Sequence, residues 1–332
     1  MKLTLALVVL FGGFLNIGVA ANAAFTLEKT PTGGAVVKYK GQPFAEYVVD
    51  QANKPYLAPI FGPTGKQMTR NYPMKKVAGE KQDHPHHRGL NFGHEDVGGS
   101  EFWAEQTTYD EMNARKAGSG NARAAKLGHT KHREYREFKA SGDRAVILDI
   151  VDWIGHDGKK LLEEERRMTF RVEGDKRIID FDQDLIARNG NVRIGDKKDA
   201  GLSIRVPTSM AVDTKKGGKI INSEGATDAA AWAKRAKWVD YHGPVEGEHL
   251  GVAILNHPGS LQFPTPWHVR TYGLFTANAF ASKSFDPKAK DAAFEIKAGE
   301  RIKLRHRFVF HSGDEKAAKI EQAWQAYSKE KK

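Results

Sequence analysis

Between Asp83 and Glu101 the chain reads DHPHHRGLNFGHEDVGGSE, a run that gathers four of the thirteen histidines with an arginine and several acids. Core packing has no use for such a set. Imidazole works near neutral pH as acid, base or metal ligand, and the planar fork of Arg88 suits oxygen anions and hydroxyls. Pro85 biases Asp83–His84 toward extended backbone, while Gly89, Gly93, Gly98 and Gly99 let the chain bend closely around a ligand. The stretch reads as a site carried on a rigid loop.

Two later segments hold groups of the same kind. Ala231–Gly243 carries Trp232, Arg235, Trp238, Asp240, Tyr241 and His242, and Asn256–Asn278 carries His257, Trp267, His268, Arg270 and Tyr272. Tryptophan beside Arg, Asp and His suits a sugar, because an indole face stacks on the C–H face of a pyranose while charged groups hold its hydroxyls. Strand alternation puts His268 and Arg270 on one face, opposite Trp267 and Val269. A further charged run, Asp196–Asp199, precedes a strand in which Leu202, Ile204 and Val206 share a face, so Ser203 and Arg205 look the other way. Its lysines read as solvated.

Around these groups, short apolar–polar pieces (FTLEK, AVVKY, FAEYVV, YLAPIF) alternate with Gly and Pro turns up to Phe61. From His129 a period of two repeats. Met168, Phe170 and Val172 oppose Arg167, Thr169 and Arg171, and Ile179, Phe181 and Leu185 oppose Asp180, Asp182 and Asp184. Turns at Gly142-Asp143, His156-Asp157-Gly158 and Gly174-Asp175 make this block an antiparallel meander. Met112–Gly128 has no sustained apolar period and reads as an exposed insertion. His306 reads as a core histidine, and Asp314–Lys329 has helical spacing, with Ser312 or Asp314 as cap. Fifteen or more strands and one clear helix predict an all-β fold: a large antiparallel two-sheet sandwich with a C-terminal helix.

Composition narrows the function. Met1-Lys2, the apolar run Leu3–Phe14 and Ala21-Asn22-Ala23 predict a signal peptide over 1–23, leaving an exported mature chain, periplasmic or extracellular, with one domain over 24–332 and no later membrane segment. There is no cysteine, so the core alone must hold the fold. The net charge of +11 is spread thinly and lacks a nucleic-acid motif, and there is no glycine-rich phosphate loop. Nucleic acid and nucleotide cofactors are therefore not expected.

His84-Pro85-His86-His87-Arg88-Gly89-Leu90, Gly93-His94-x-Asp96, Asn222-Ser223-x-Gly225, Trp238-Val239-Asp240-Tyr241, His257-Pro258 and Trp267-His268-Val269-Arg270-x-Tyr272-Gly273 together resemble the uncharacterised bacterial family labelled "methane oxygenase PmoA". The label implies a membrane monooxygenase subunit, which one short apolar segment cannot build. What the resemblance implies for the fold is a galactose mutarotase-like supersandwich with a carbohydrate cleft. It implies no catalytic roles, so those rest on residue types.

Opening or epimerising a sugar needs one group to take a proton and another to give one. His84, His87 and His268 are the acid/base candidates, with Asp96 or Asp240 as paired carboxylate. Arg88, Arg205 and Arg270 would clamp the substrate, and His86, His94, Trp103, Trp238, His257, Trp267 and Tyr272 would line its site. The leading reading is a carbohydrate-acting enzyme of epimerase, lyase or hydrolase type without a cofactor. One alternative is a carbohydrate binder without turnover. Another is a site for a divalent metal ion on His84, His86 and His94, with His257 as a further donor.

Overall fold

The computed structural model describes residues 24–332, so the segment expected to be a signal peptide lies outside the described residues. Alternating apolar residues build the strands in order. The first block is β1 (Phe25–Lys29), β2 (Ala35–Tyr39), β3 (Gln42–Val48) and β4 (Tyr56–Ile60), followed after a long loop by β5 (Leu90–His94). Helices α1 (Gln106–Arg115) and α2 (Asn121–Ala124) come next, where an exposed insertion was expected. The meander is β6 (His129–Ala140), β7 (Arg144–Ile154), β8 (Lys160–Glu173) and β9 (Lys176–Ile186). In it Glu173 pairs with Lys176 across a two-residue Gly174-Asp175 turn.

The second half holds β10 (Val192–Ile194), β11 (Ala200–Arg205), β12 (Lys219–Asn222), β13 (Trp238–Val245) and β14 (Glu248–Asn256), then β15 (Trp267–Val269), β16 (Leu274–Ala277), β17 (Phe294–Ile296) and β18 (Arg301–Ser312). Two eight-stranded antiparallel sheets result, ordered β1-β2-β3-β4-β5-β11-β16-β15 and β12-β13-β14-β18-β9-β8-β7-β6, with β10 and β17 as a separate pair. The predicted fold class is the observed one. Apolar residues of both sheets meet in one core: Phe44 packs edge-on against Phe170 at 5.7 Å and Phe92 against Trp153 at 5.5 Å. His306 is buried there, its Nε2 3.3 Å from Asn256 Nδ2.

The C-terminal helix α3 (Ile320–Tyr327) is shorter than expected. Asp314 instead accepts the N–H groups of Lys316 and Ala317, so it caps a turn ahead of the helix. Ile320 and Tyr327 pack with Trp238, Ala253, Leu255 and Val309, which places α3 over the outer face of the second sheet rather than its edge. Among the described residues no helix is long and apolar enough to cross a membrane.

Candidate functional site

Strand register lays the floor. Asn91 pairs with Ser203, Ser203 with Thr276 and Thr276 with His268, in β5, β11, β16 and β15. Residues directly opposite in antiparallel strands project to the same side, so the four form a polar row on the outer face of the first sheet. Ser203 Oγ and Thr276 Oγ1 are 2.8 Å apart within it. Arg205, two residues beyond Ser203, shares the face; Leu202 and Ile204 enter the core, as their alternation predicts.

The loop 61–89 supplies one wall. Arg70, fully buried, donates to Asp83 Oδ1 at 2.5 Å and to the carbonyls of Tyr72 and His84, and Arg205 donates to the same Asp83 oxygen at 2.7 Å. Burial works against ionising Asp83, but the His84 imidazole and these two guanidiniums hold its carboxyl well below the usual range. His84 takes a positive φ of 48° instead of the extended backbone that Pro85 favours. The two arginines overdetermine that conformation. Its ring stacks parallel to His87 at 4.8 Å and to Tyr272 at 5.2 Å.

Trp103 and the helices form the opposite wall. Gly93 lies on the outer face of β5, and a Cβ there would meet the Phe102 carbonyl oxygen at 2.7 Å; its absence lets the Phe102-Trp103 backbone lie against the sheet. Lys54 crosses beneath, donating to the Trp103 carbonyl at 2.9 Å, and burial pushes its ammonium down to about 8. Glu101 ties the wall together: it accepts from the N–H groups of Trp103 and Ala104, from the Tyr109 hydroxyl at 2.9 Å and from Arg123 at 2.8 Å.

Between the walls lies a cleft of about 270 Å³ lined by His84, His86, His87, Trp103, Thr108, Tyr109, Arg123, Lys198, Asp199, His268, Arg270 and Tyr272. His268 Nδ1–H donates to the Lys198 carbonyl at 2.8 Å, which leaves Nε2 as the lone-pair nitrogen. Burial lowers its pKa to about 4, against the pull of Asp199, whose Oδ1 lies 3.6 Å from Nδ1. His87 accepts from Arg205 at Nδ1, 3.0 Å away, and His86 Nδ1 meets the Thr108 hydroxyl at 2.9 Å. Burial, then nearby positive charge, pushes both well below the ordinary histidine value. Arg270 lies over the Tyr272 ring at 5.5 Å and the Trp232 ring at 5.9 Å.

Seven expected residues thus meet: His84, His86, His87, Trp103, His268, Arg270 and Tyr272, with Arg205 beneath them. The others lie elsewhere. Arg88 forms a two-pronged pair with Glu105 over the Tyr56 ring. His94 alternates to the core side of β5, where its ring meets Phe280 at 4.9 Å, and Asp96 pairs with Arg193 at 3.0 Å. Trp267 is in the core for the same reason that His268 is not. Trp238 and Asp240 belong to the second sheet, bonded to Glu321 and His311, because Val239 and Tyr241 take the inward positions of β13. His257 donates through Nε2 to the Glu330 carbonyl at 3.0 Å. A single cleft built from all three segments is therefore corrected to one built from two, with Trp232 touching it through Arg270. His94 is also separated by the sheet from His84 and His86, so these three do not converge as metal ligands.

No role was expected here for Asp83, Arg70, Glu101, Thr108, Tyr109, Arg123 or Asp199, and Lys198, expected to be solvated, lines the cleft instead, with its carbonyl accepting from His268. Asp199 had a signal, its place just before the Arg205 strand; the helix residues had none.

Residues 34–325 match a family model described as "Family of unknown function (DUF6807)". That description carries no methane-oxygenase label. No curated protein matches the chain. Among solved structures the chain is similar to a galactose mutarotase related enzyme from Lactobacillus acidophilus, with 9% identity and a TM-score of 0.35, over 87% of this chain and 97% of that one. It is also similar to a polysaccharide lyase, with 10% identity and a TM-score of 0.28 over 89% of this chain and 33% of that one. A glycoside hydrolase family 97 enzyme from Pseudoalteromonas sp. strain K8, in complex with panose, has 8% identity and a TM-score of 0.28 over 86% of this chain and 33% of that one. The chain spans a third of the length of these last two.

Proposed function

We propose, for a chain that belongs to the family of unknown function DUF6807 and inherits no activity from it, that the cleft binds a small oxygen-rich molecule of the carbohydrate class and transforms it by histidine acid–base chemistry. One observation carries the reading: His268, whose pKa burial lowers to about 4, is oriented by the Lys198 carbonyl so that its other ring nitrogen faces a cleft walled by flat rings and guanidiniums. A base in that state can take a proton from a hydroxyl or from carbon. Asp199 replaces Asp96 and Asp240 as the nearby carboxylate. His84, hydrogen-bonding distance aside, is the most exposed histidine of the cleft and sits beside Asp83, a fitting place for the group that returns the proton.

The cleft falls near the lower end of ligand-pocket volumes, which run roughly 300–1,000 Å³, and so suits one sugar ring rather than a polymer. With Arg123 already paired to Glu101 and Glu95, Lys198 and Arg270 still outnumber Asp199 along the lining, which favours an acidic sugar or an oxygen that gains negative charge. Proton abstraction beside a carboxylate, the opening step of an epimerase or lyase, fits these groups best. Action without a nucleotide cofactor, in an exported chain, belongs to the same proposal. A binder without turnover is the second reading, favoured by His86 and His87 being buried and committed to Thr108 and Arg205.

Thermal-shift and calorimetric screening of the wild type against mono- and disaccharides, uronic acids and oxidised sugars tests the binding half. Stabilisation by one sugar class that Arg270→Ala weakens supports it. A panel with no ligand, or a ligand indifferent to Arg270→Ala, removes the cleft from consideration.

A further inference from the structure

On the far side of the sandwich, the outer face of the second sheet carries a second group of ligating side chains. Asp240, His242 and Glu315 each present one donor atom such that the three lie within 4.8 Å of one another. Among the described residues they are the one group of three histidine, cysteine or acidic side chains so arranged. Asp240 and His242 alternate outward on β13, and Glu315 comes from the turn that precedes α3.

Two details go beyond proximity. Asp240 is fully buried and His242 only 4% exposed, yet Asp240 Oδ1 and His242 Nε2 have no hydrogen-bond partner. A buried polar atom left unpaired forfeits its hydration with nothing in return, so two at one point call for a shared partner. The partner must be an electron-pair acceptor, since the atoms on offer are a carboxylate oxygen and an imidazole nitrogen facing the Glu315 carboxylate at 3.6 Å. Two ligands of a tetrahedral metal ion bonded at about 2.1 Å stand about 3.4 Å apart, close to that spacing.

The surroundings match a metal centre as well. His242 Nδ1 is 2.7 Å from His249 Nε2, and the tautomer that donates Nδ1–H there is the one that frees Nε2 to ligate. His311 Nε2–H donates to Asp240 Oδ2 at 2.6 Å, holding the carboxylate with Oδ1 toward the group. Gly251 makes the room: a Cβ there would meet the His311 ring at 2.2 Å and His242 Cβ at 3.0 Å. Glu315 is 9% exposed and the neighbouring His249 is open to solvent, which gives an ion a way in past the His249 ring.

We propose that Asp240, His242 and Glu315 bind one divalent transition-metal ion of the zinc type, clamping β13 to the turn that leads into α3, with His249 and His311 as the outer groups that orient the ligands. One imidazole and two carboxylates, with no thiolate, are the donor set of such an ion with a position left for water. This site does not depend on the carbohydrate cleft, from which the whole sandwich separates it.

The test uses the full mature chain, stripped with chelator and titrated with Zn²⁺ and separately Mn²⁺ by calorimetry, with melting temperature followed alongside. One equivalent of Zn²⁺ should bind and raise the melting temperature as its concentration rises. His242→Ala should abolish that stoichiometric binding, Glu315→Gln should weaken it, and His249→Ala should weaken it by roughly 10- to 100-fold. Glu315→Gln keeps the shape of the side chain, so it remains informative even where His242→Ala fails to fold. His84→Ala should bind as the wild type does. No binding by a folded wild type, or binding that Glu315→Gln leaves unchanged, overturns the proposal; loss of binding in His84→Ala would assign the ion to the cleft instead.

Discussion

At the scale of single side chains, His268 matters for the proton it does not carry. Burial holds its pKa at about 4, so it stays a free base across the range where an ordinary histidine, near 6.5, would protonate. For the free enzyme, kcat/KM should therefore keep its plateau down to about pH 4 on the acid side; a limb near 6.5 would assign the base to another group. His268→Gln should lower turnover by about 10²–10⁴-fold while ligand affinity changes little, measured as kcat against Kd. Alternation made His268 and Arg270 legible in the sequence as a pair, and HPHHRGL announced itself by composition. His94 does not join His84 and His86, because the pleat of β5 sends it to the other side of the sheet. Asp240 failed similarly: a carboxylate beside tryptophans looks the same in sequence whichever sheet holds it.

Among the elements, Glu101 holds the Trp103 wall to α1 and α2 through four hydrogen bonds, one of them to the Arg123 guanidinium. Glu101→Gln removes one of the two carboxylates that Arg123 faces, Glu95 being the other, and hydrogen bonds to charged groups contribute about 1.5–3 kcal/mol. Ligand binding should weaken and amide exchange over 102–125 should quicken; unchanged exchange would mean that the helices hold themselves. Gly93→Ala pushes a methyl group into the Phe102 carbonyl, and overpacking of this kind costs about 1–3 kcal/mol, readable as a lower melting temperature with Trp103 fluorescence displaced. These helices were hard to see in the sequence for a physical reason. Tyr109 is the buried residue of α1 and α2 has none, so no apolar stripe repeats at helical spacing. The strands bury one face each and announced themselves by alternation, which is why the sandwich was readable and its cover was not.

For the molecule as a whole, acid should loosen the fold. Seven histidines, His86, His87, His94, His242, His257, His268 and His306, have pKa values lowered by burial, while His311 alone is raised, with Asp240 outweighing its burial. A lowered folded-state value means that the unfolded chain binds more protons below about 6.5, so the stability is complete above that pH and is lost toward about 4. Burial raises Asp149, Asp182 and Glu95 and works in the opposite sense, but these are three groups against seven. The melting temperature should fall between pH 7 and 4 with net proton uptake on unfolding; a flat or rising profile would contradict this balance. Strand order lay beyond the sequence, because β5, β11 and β16 become neighbours only through long connections, and that order is what brings His84 and His268 to one cleft. The most direct test of that cleft as a catalytic site is a proton NMR time course of the sugar panel with wild type and His268→Gln side by side. Conversion of one sugar class by the wild type, lost in His268→Gln, is the expected result. Equal conversion by both proteins, or a bound sugar that neither converts, would contradict it.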